Sequence, residues 1–361
     1  MAQNNRSGGS RAGISDVASL AGVSQGTVSN VLNHPDRVTA ETRARVVRAM
    51  QMLNYVPPNG LARSLAAGTS TAIGLVVTDL SNSLFIDIAR GAERAAELTG
   101  VNLMLANSDG RLDRESSYLT LFAQSQFAGI LMTLNDEHHF AAIAAMSTGT
   151  TPLVMLNFDA PSTRFCSVSV DNELGGYLAA QHLIDLGRRR LVFVGGPDEL
   201  KPVQERGRGF RRALRERGLS SVRELMPERI NRADGWQIGS DLAAAVAAGE
   251  VDGIFASSDL LAAGIMQAFA SSPGISVPDD VAIVGYDNNQ AAWDSPPTPI
   301  TTISQPGEAV GEHRGPSSYR RRRLRGTEVT STARSSSPPE LIVRRSTSST
   351  AEVDGSLEPA F

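Results

Sequence analysis

Small polar side chains crowd the start of one short predicted helix near the N-terminus. The amides of Gln25 and Asn30 suit an adenine edge, with which an amide forms two hydrogen bonds, and nearby hydroxyls suit phosphate oxygens or bases. In a helix-turn-helix, such a helix enters the major groove of DNA with its N-terminal part. The alternative interpretation is an ordinary polar helix face. The candidate DNA contacts in this helix are Ser24, Gln25, Gly26, Thr27, Ser29 and Asn30.

A second set of polar residues follows the ends of apolar runs, where the simplest interpretation is a cap or a turn. Two adjacent histidines, His138 and His139, lack a Cys or carboxylate cluster at metal-ligand spacing, so a helix surface is favoured over a metal site. We find no nucleophile elbow, P-loop or paired acid–base signature in the sequence. We therefore expect no enzyme activity, no metal and no cofactor.

Three short helices must position the first set of residues. Ser15 is predicted to cap the helix DVASLA, Gly22 to permit a tight turn, and Ser24 to cap the helix QGTVSNVLN. Thr39 is predicted to start a third helix, one face of which carries Val46, Met50 and Leu53. This compact unit has the spacing of a helix-turn-helix.

Beyond a Pro- and Gly-rich stretch, PPNGLARSLAAGTST, apolar runs alternate with segments long enough for helices. Such a pattern predicts parallel sheets covered by helices on both faces. We expect an α/β fold of two doubly wound parallel-sheet subdomains after a small all-α domain, with a ligand cleft at the carboxyl ends of the strands. The predicted strands are 72–77, 101–106, 129–133 and 152–156 in one series, and 190–196, 252–257 and 281–287 in the other.

Composition and charge indicate which kind of protein this is and which kind of partner it binds. The 361 residues are 41% hydrophobic and 20% charged, which is typical of a globular protein, and no apolar run reaches the ~18 residues of a membrane span. The single Cys166 cannot form an internal disulfide, and the polar N-terminus does not resemble a secretory signal, so we expect a cytoplasmic protein. Residues 1–70 carry seven arginines and three acidic residues, and this basic head favours a polyanionic partner.

Long segments of the chain resemble the LacI/GalR transcription regulators. ISDVASLAGVSQGTVSNVLNHPDRVTAETRARVVRAMQMLNYVP resembles their headpiece, and LARSLAAGTSTAIGLVV their hinge helix and first core strand. The resemblance continues through VSVDNELGGYLAAQHLIDLGRRRLVFVGGP, FASSDLLAAGIMQAF and VPDDVAIVGYDN, and so covers residues 13–311. It implies a homodimer on double-stranded, pseudo-palindromic operator DNA, with paired hinge helices in the minor groove.

The resemblance also implies roles for individual residues of the DNA-binding part. Gln25, Gly26 and Asn30 would select sequence, and Leu65 would wedge into the central base step beside Ala62 and Arg63. Many members have Arg where this chain has Asn30, so no known operator sequence is transferred. Pro57 and Pro58 add a residue before the hinge helix. Contacts to backbone and bases would come from Ser24, Thr27, Ser29, Asn33, Thr39 and Thr42.

In the core, the resemblance implies an effector site. Arg206 matches an arginine that grips effector oxygens, and Trp236 an aromatic that stacks on the apolar face of the ligand. Ser258 and Asp259 stand where the family often has Asn–Asp. The remaining expected contacts are Asp287, with Phe85 and Asn157 from the other subdomain.

The resemblance stops after Gly311 and resumes at residue 338. The intervening EHRGPSSYRRRRLRGTEVTSTARSSS has no apolar helical stripe, and is either a genuine basic, disordered insertion or the product of two gene frameshifts. The frameshifts are favoured because the length and flanks stay in register, and a repaired chain is then expected to melt at a higher temperature. The predicted domains are a disordered tail 1–12, headpiece 13–57, hinge 58–70, core 71–347 with the anomalous interval 312–337, and a disordered tail 348–361.

We therefore predict an allosteric transcription regulator, a repressor of a sugar or small-metabolite operon. The sequence after Thr347 has no leucine heptads, which favours a dimer over a tetramer. One alternative is a periplasmic-type solute-binding protein, which the headpiece disfavours. Another is an enzyme such as a sugar kinase or deaminase, which would need phosphate-binding or metal motifs.

Overall fold

The computed structural model describes residues 12–55, 72–147, 151–160, 165–219, 223–289, 298–312 and 334–348. These residues form two compact units, one before and one after residue 70. Four predicted segments lie outside the described residues, wholly or for the most part: the N-terminal tail, the hinge, the interval 312–337 and the C-terminal tail.

The described part of the first unit, residues 12–55, contains three helices and one short turn. The helices are α1 (Ile14–Ala21), α2 (Gln25–Asn33) and α3 (Ala40–Met52), with a 3-10 turn at Pro35–Arg37. Ser24 and Thr39 cap α2 and α3, as predicted. The prediction for α1 was wrong by two residues: Gly13 is its N-cap, because the carboxylate of Asp16 accepts a hydrogen bond of 2.7 Å from the Gly13 N–H.

A small apolar core holds these helices together. Val17, Val28 and Val46, one from each helix, are fully buried and lie in a single cluster that also includes Tyr55. Gly22 ends α1 with a φ of 65°, a left-handed conformation that glycine adopts without steric cost. The tight turn brings α2 across α1, so its opposite face is left for solvent.

The second unit has two lobes, each built on a six-stranded sheet. The first sheet is parallel throughout, in the order β11-β5-β4-β3-β1-β2. Its strands are β1 (Ala72–Val77), β2 (Asn102–Asn107), β3 (Gly129–Thr133), β4 (Leu153–Leu156), β5 (Cys166–Val170) and β11 (Arg334–Ser337). Its helices are α4 (Ser83–Glu97), α5 (Leu112–Gln124), α6 (Glu137–Met146) and α11 (Gly307–Glu312).

The second sheet has the order β12-β10-β9-β8-β6-β7, and only β12 runs antiparallel to its neighbour. Its strands are β6 (Leu191–Val194), β7 (Arg223–Leu225), β8 (Gly253–Ala256), β9 (Ala282–Asp287), β10 (Thr301–Ser304) and β12 (Glu340–Ile342). The helices of this lobe are α7 (Asn172–Asp185), α8 (Lys201–Glu216), α9 (Arg232–Ala247) and α10 (Asp259–Ala270).

Between described elements, the chain passes from one lobe to the other after β5, after β10 and after β11. All seven predicted strands are present. Five further strands were missed because they are short or carry Ser, Thr and Arg: β5, β7, β10, β11 and β12. The last four residues of the anomalous interval thus belong to the first sheet, as β11 beside β5.

Candidate DNA-binding face and effector cleft

The exposed side of α2 carries most of the predicted DNA contacts. Val28 and Val31 are buried against the headpiece core, whereas Gln25, Gly26 and Asn30 face solvent. An amide on an exposed helix face is free to approach the edge of a base. The structure therefore leaves the predicted sequence-selecting residues accessible, and their roles stay predictions.

Hydroxyl pairs fix the starts of α2 and α3. Ser24 Oγ accepts a hydrogen bond of 3.1 Å from the Thr27 N–H and lies 2.9 Å from Thr27 Oγ1. Thr39 Oγ1 accepts from the Thr42 N–H over 3.4 Å and donates to Thr42 Oγ1 over 3.0 Å. Capping leaves each hydroxyl with further lone pairs, so a phosphate-positioning role remains compatible with it. Exposed arginines add positive charge to α3 at 43, 45 and 48.

Several predicted contacts are not placed by the structure. The backbone of Asn33 ends α2, but its side chain lies outside the described residues. The hinge residues Ala62, Arg63 and Leu65 also lie outside them. Their roles in the minor groove stay predictions.

Arg206 is the centre of the polar cluster in the second unit. It is buried on α8, and its Nε donates a hydrogen bond of 3.0 Å to Asn172 Oδ1 while Nη1 donates over 2.6 Å to the Ser257 carbonyl. Its guanidinium lies 3.6 Å from the centre of the Tyr286 ring. Nη2 approaches Asp287 Oδ1 at 3.7 Å. These partners hold the guanidinium in one orientation beside a carboxylate.

Asp287 ends β9 and gathers donors from both lobes. Its Oδ2 accepts from Asn82 Nδ2 over 2.9 Å and from Ser258 Oγ over 3.2 Å, and its Oδ1 accepts from Gln305 Nε2 over 2.6 Å. Burial raises the pKa of the Asp287 carboxyl, and Arg206 opposes that rise. With φ at 105°, the residue adopts a backbone conformation that is rare for a side-chain-bearing residue and frequent at functional sites.

Asp259 lies beside this group but is fully buried. Its Oδ1 accepts from Thr302 Oγ1 over 2.7 Å, and its Oδ2 accepts from the Asn289 N–H over 2.9 Å. Burial raises the pKa of Asp259 well above its ordinary value, and the nearby Asp287 raises it further. Through these two bonds, Asp259 joins the start of α10 to β10 and to the loop after β9.

The other expected effector contacts stand apart from this network. Phe85 is buried in α4 within the apolar core of the first lobe, and Asn157 is buried just after β4 with a φ of 54°. Trp236 is 42% exposed on α9. Among the described residues, the hydrogen bonds around Arg206 and Asp287 include none of these three, whose roles stay predictions.

Three residues of the network escaped sequence reasoning. Asn82 precedes α4, Asn172 opens α7, and Gln305 follows β10. The signal available in the sequence was their position shortly after a strand, where a parallel sheet gathers its polar residues. Two of these strands, β5 and β10, went unpredicted, so the signal was incomplete.

His139 differs from the predicted helix surface. Its Nδ1 lies 2.9 Å from Glu115 Oε2, and Glu115 is buried in α5. Burial raises the pKa of Glu115, while His139 lowers it. In the described ranges, no three His, Cys, Asp or Glu side chains lie together as a metal site would need. No helix among those residues combines the length and the apolar character of a membrane span.

A helix-turn-helix unit joined to a two-lobed α/β core defines a class of ligand-regulated DNA-binding proteins. A family model described as bacterial regulatory proteins, lacI family, matches residues 13–58, and a periplasmic binding protein-like domain matches residues 180–347. The chain belongs to the lacI family. It is 32% identical over 342 residues to the HTH-type transcriptional regulator DegA of Bacillus subtilis, covering 93% of this chain and 98% of that protein.

Another relative and two solved structures to which the chain is similar are also transcription regulators. The chain is 34% identical over 301 residues to the HTH-type transcriptional repressor PurR of Vibrio parahaemolyticus, covering 83% of this chain and 89% of that repressor. A Lac repressor dimer bound to operator and the anti-inducer ONPF superposes with a TM-score of 0.75 at 25% identity, over 94% of this chain and 99% of that one. The regulator CelR in complex with cellobiose gives 0.64 at 29% identity, over 93% and 100%. This chain is thus a DNA-binding transcription regulator with an effector-binding core.

Proposed function

We propose that this regulator is a homodimeric repressor whose hold on operator DNA is controlled by a sugar bound between the two lobes. The observation that carries the proposal is the buried pair of Arg206 and Asp287, with Asn82 reaching it from the opposite lobe. A forked donor beside an acceptor suits neighbouring hydroxyls, which donate and accept at the same time. The relative CelR was solved with cellobiose, which supports a sugar.

The same pair explains how an effector alters the lobes. A hydroxyl that donates to Asp287 competes with Asn82 for that carboxylate, because Oδ2 already accepts from Asn82 and Ser258. Binding therefore changes the contact between the lobes. A ligand that favours one lobe arrangement shifts the population of arrangements, and this coupling controls DNA affinity.

An exposed apolar edge strand in the first lobe supports the proposal of a homodimer. The edge strand β2 leaves Met104 and Leu105 50% and 46% exposed, although both are large apolar residues. Exposed apolar edges favour association with another chain. The Lac repressor that this chain resembles was solved as a dimer on operator, which supports two headpieces reading two half-sites.

The test starts from a pool of random DNA duplexes. The purified chain, at fixed salt, is expected to enrich a palindrome. The double variant Gln25→Ala, Asn30→Ala should lose about 30-fold or more in preference for it, since each amide can supply one bidentate base contact of ~1–3 kcal/mol. A screen of sugars for release or tightening then identifies the effector. Binding that is blind to sequence, or a palindrome that responds to no sugar, would contradict the respective half of the proposal.

A further inference from the structure

Lys201 is the only lysine in the chain and opens α8 in the second lobe, yet its N–H and its ammonium donate hydrogen bonds to carbonyls of the first lobe. We infer that Lys201 stabilises the closed arrangement, in which the two lobes are in contact. We call Lys201, with its bonds to the Asn135 and Asp159 carbonyls, the latch. The inference does not depend on the identity of the effector.

The backbone of Lys201 makes the first contact between the lobes. The first N–H groups of a helix have no partner within that helix. The N-cap residue Leu200 has an apolar side chain that cannot accept a hydrogen bond, and Pro202 has no N–H. The Lys201 N–H donates instead to the Asn135 carbonyl, 2.8 Å away in the loop after β3. The opposite lobe therefore caps the start of α8.

The side chain makes the second contact. Lys201 Nζ donates a hydrogen bond of 3.1 Å to the Asp159 carbonyl and lies 5.1 Å from the centre of the buried Phe158 ring. Charge-assisted hydrogen bonds and cation–π contacts both strengthen when the ammonium is partly shielded from water, and this side chain is 19% exposed. Glu137 Oε1, 3.5 Å away, is mostly solvent-exposed and adds little.

The position of the charge points the same way. A cation at the N-terminus of a helix faces the positive end of the helix dipole, which is unfavourable. At Lys201, this repulsion is offset by the carbonyl and the ring of the first lobe. Separation of the lobes removes both partners, whereas the repulsion and the attraction to Glu205 on the same helix remain in either arrangement, so the ammonium favours the closed one.

Loss of the latch has a measurable consequence. Removing a hydrogen bond to a charged group shifts the equilibrium between closed and open lobes by about tenfold or more. Lys201→Met keeps an unbranched stem against Phe158 but has no donor, whereas Lys201→Arg keeps the charge and the donors. In both variants, the backbone bond to Asn135 is retained.

Small-angle scattering of the full-length chain tests the latch. Lys201→Met is expected to give a larger radius of gyration than the wild type, and Lys201→Arg to match the wild type. Circular dichroism of both variants checks that they fold. Identical scattering from the wild type and Lys201→Met overturns the inference, and so does an equal expansion in Lys201→Arg.

The unique lysine allows a second test on the unaltered chain. Acetylation with an N-hydroxysuccinimide ester is followed at Lys201 by peptide mass spectrometry, with N-acetyl-lysine amide in the same tube as the free-amine standard. If the open lobes hold about 10% of wild-type molecules, labelling is slowed about tenfold, and a tenfold shift then opens about half of the molecules, a change that scattering resolves. The fully acetylated chain should then scatter like Lys201→Met. Labelling at the rate of the standard, or acetylation without expansion, overturns the inference.

Discussion

Asn82 in the first lobe and Asp287 in the second are joined by a hydrogen bond of 2.9 Å from Nδ2 to Oδ2. The other end of the same amide, Oδ1, accepts from the Leu84 N–H over 3.0 Å and so caps α4, and it also accepts from Asn289 Nδ2 over 3.3 Å. One side chain thus starts a helix of one lobe and holds two residues of the other. Since Asp287 is the proposed acceptor for the effector, ligand binding and lobe contact share a carboxylate.

Two substitutions separate the two roles of Asn82. Asn82→Ser keeps a capping oxygen but is too short to reach Asp287, whereas Asn82→Ala loses both functions. A hydrogen bond to a charged group contributes ~1.5–3 kcal/mol, so both variants should shift the lobes toward the open form by roughly 10- to 100-fold. Faster acetylation of Lys201 measures the opening.

Hydrogen exchange in the first turn of α4 provides the control for that comparison. Only Asn82→Ala should exchange faster there, because loss of a cap costs ~1 kcal/mol of helix stability. If Asn82→Ser labels at the wild-type rate, the bond to Asp287 does not hold the lobes.

The buried carboxyl of Asp259 predicts a dependence of stability on pH. Burial raises its folded pKa above the unfolded value, so its contribution to stability is complete below the unfolded pKa and is lost as pH rises through the folded pKa. Asp259→Asn carries no titratable group, and its amide can donate to Thr302 Oγ1 while its oxygen accepts from the Asn289 N–H. We expect the variant to lose less stability than the wild type as the pH is raised from about 4 to 8.

Chemical denaturation at a series of pH values measures this difference, at about 1.4 kcal/mol for every unit by which the folded pKa exceeds the unfolded one. The exposed Asp241, whose carboxylate accepts from Gln237, supplies the matched variant Asp241→Asn. Parallel pH profiles for Asp259→Asn and the wild type would show that Asp259 does not carry the dependence.

Replacing Ser24 should loosen the helix that is predicted to read DNA. The Thr27 N–H loses its acceptor in Ser24→Ala, at a cost of ~1 kcal/mol, whereas Ser24→Asn retains a capping oxygen. Hydrogen exchange of the 25–33 peptide should quicken about fivefold in the alanine variant and stay near the wild-type rate in the asparagine variant. Equal protection in all three chains would exclude the cap as a source of helix stability.

Helix α4 packs so closely on α11 that residue 91 has no room for a side chain. Alanine normally stabilises a helix relative to glycine by up to ~1 kcal/mol, but a Cβ at residue 91 would overlap the backbone carbonyl of Glu308. Overpacking costs ~1–3 kcal/mol, so Gly91→Ala should lower the melting temperature. The neighbouring exposed Arg90→Ala should leave it nearly unchanged. A Gly91→Ala chain as stable as the wild type would mean that α11 does not pack as described.

Sequence reasoning succeeded where the determining interactions are local. The caps Ser24 and Thr39 act on residues three positions away. The seven predicted strands are continuous apolar runs, and their apolar composition alone predicts that they are buried. The resemblance to the family added residue roles that no spacing provides. The cap of α1 was missed because glycine gives no side-chain signal.

The sequence by itself determined the headpiece helices, the two α/β lobes and the family. Only the tertiary structure showed that β11 and α11 belong to the first lobe, and which distant polar groups lie together in one site. Asn82 and Asp287 are 205 positions apart, and Lys201 reaches residues 42 and 66 positions before it. Such contacts arise because the chain passes between the lobes, and their geometry depends on the packing of whole sheets and helices, which no local pattern of residues encodes.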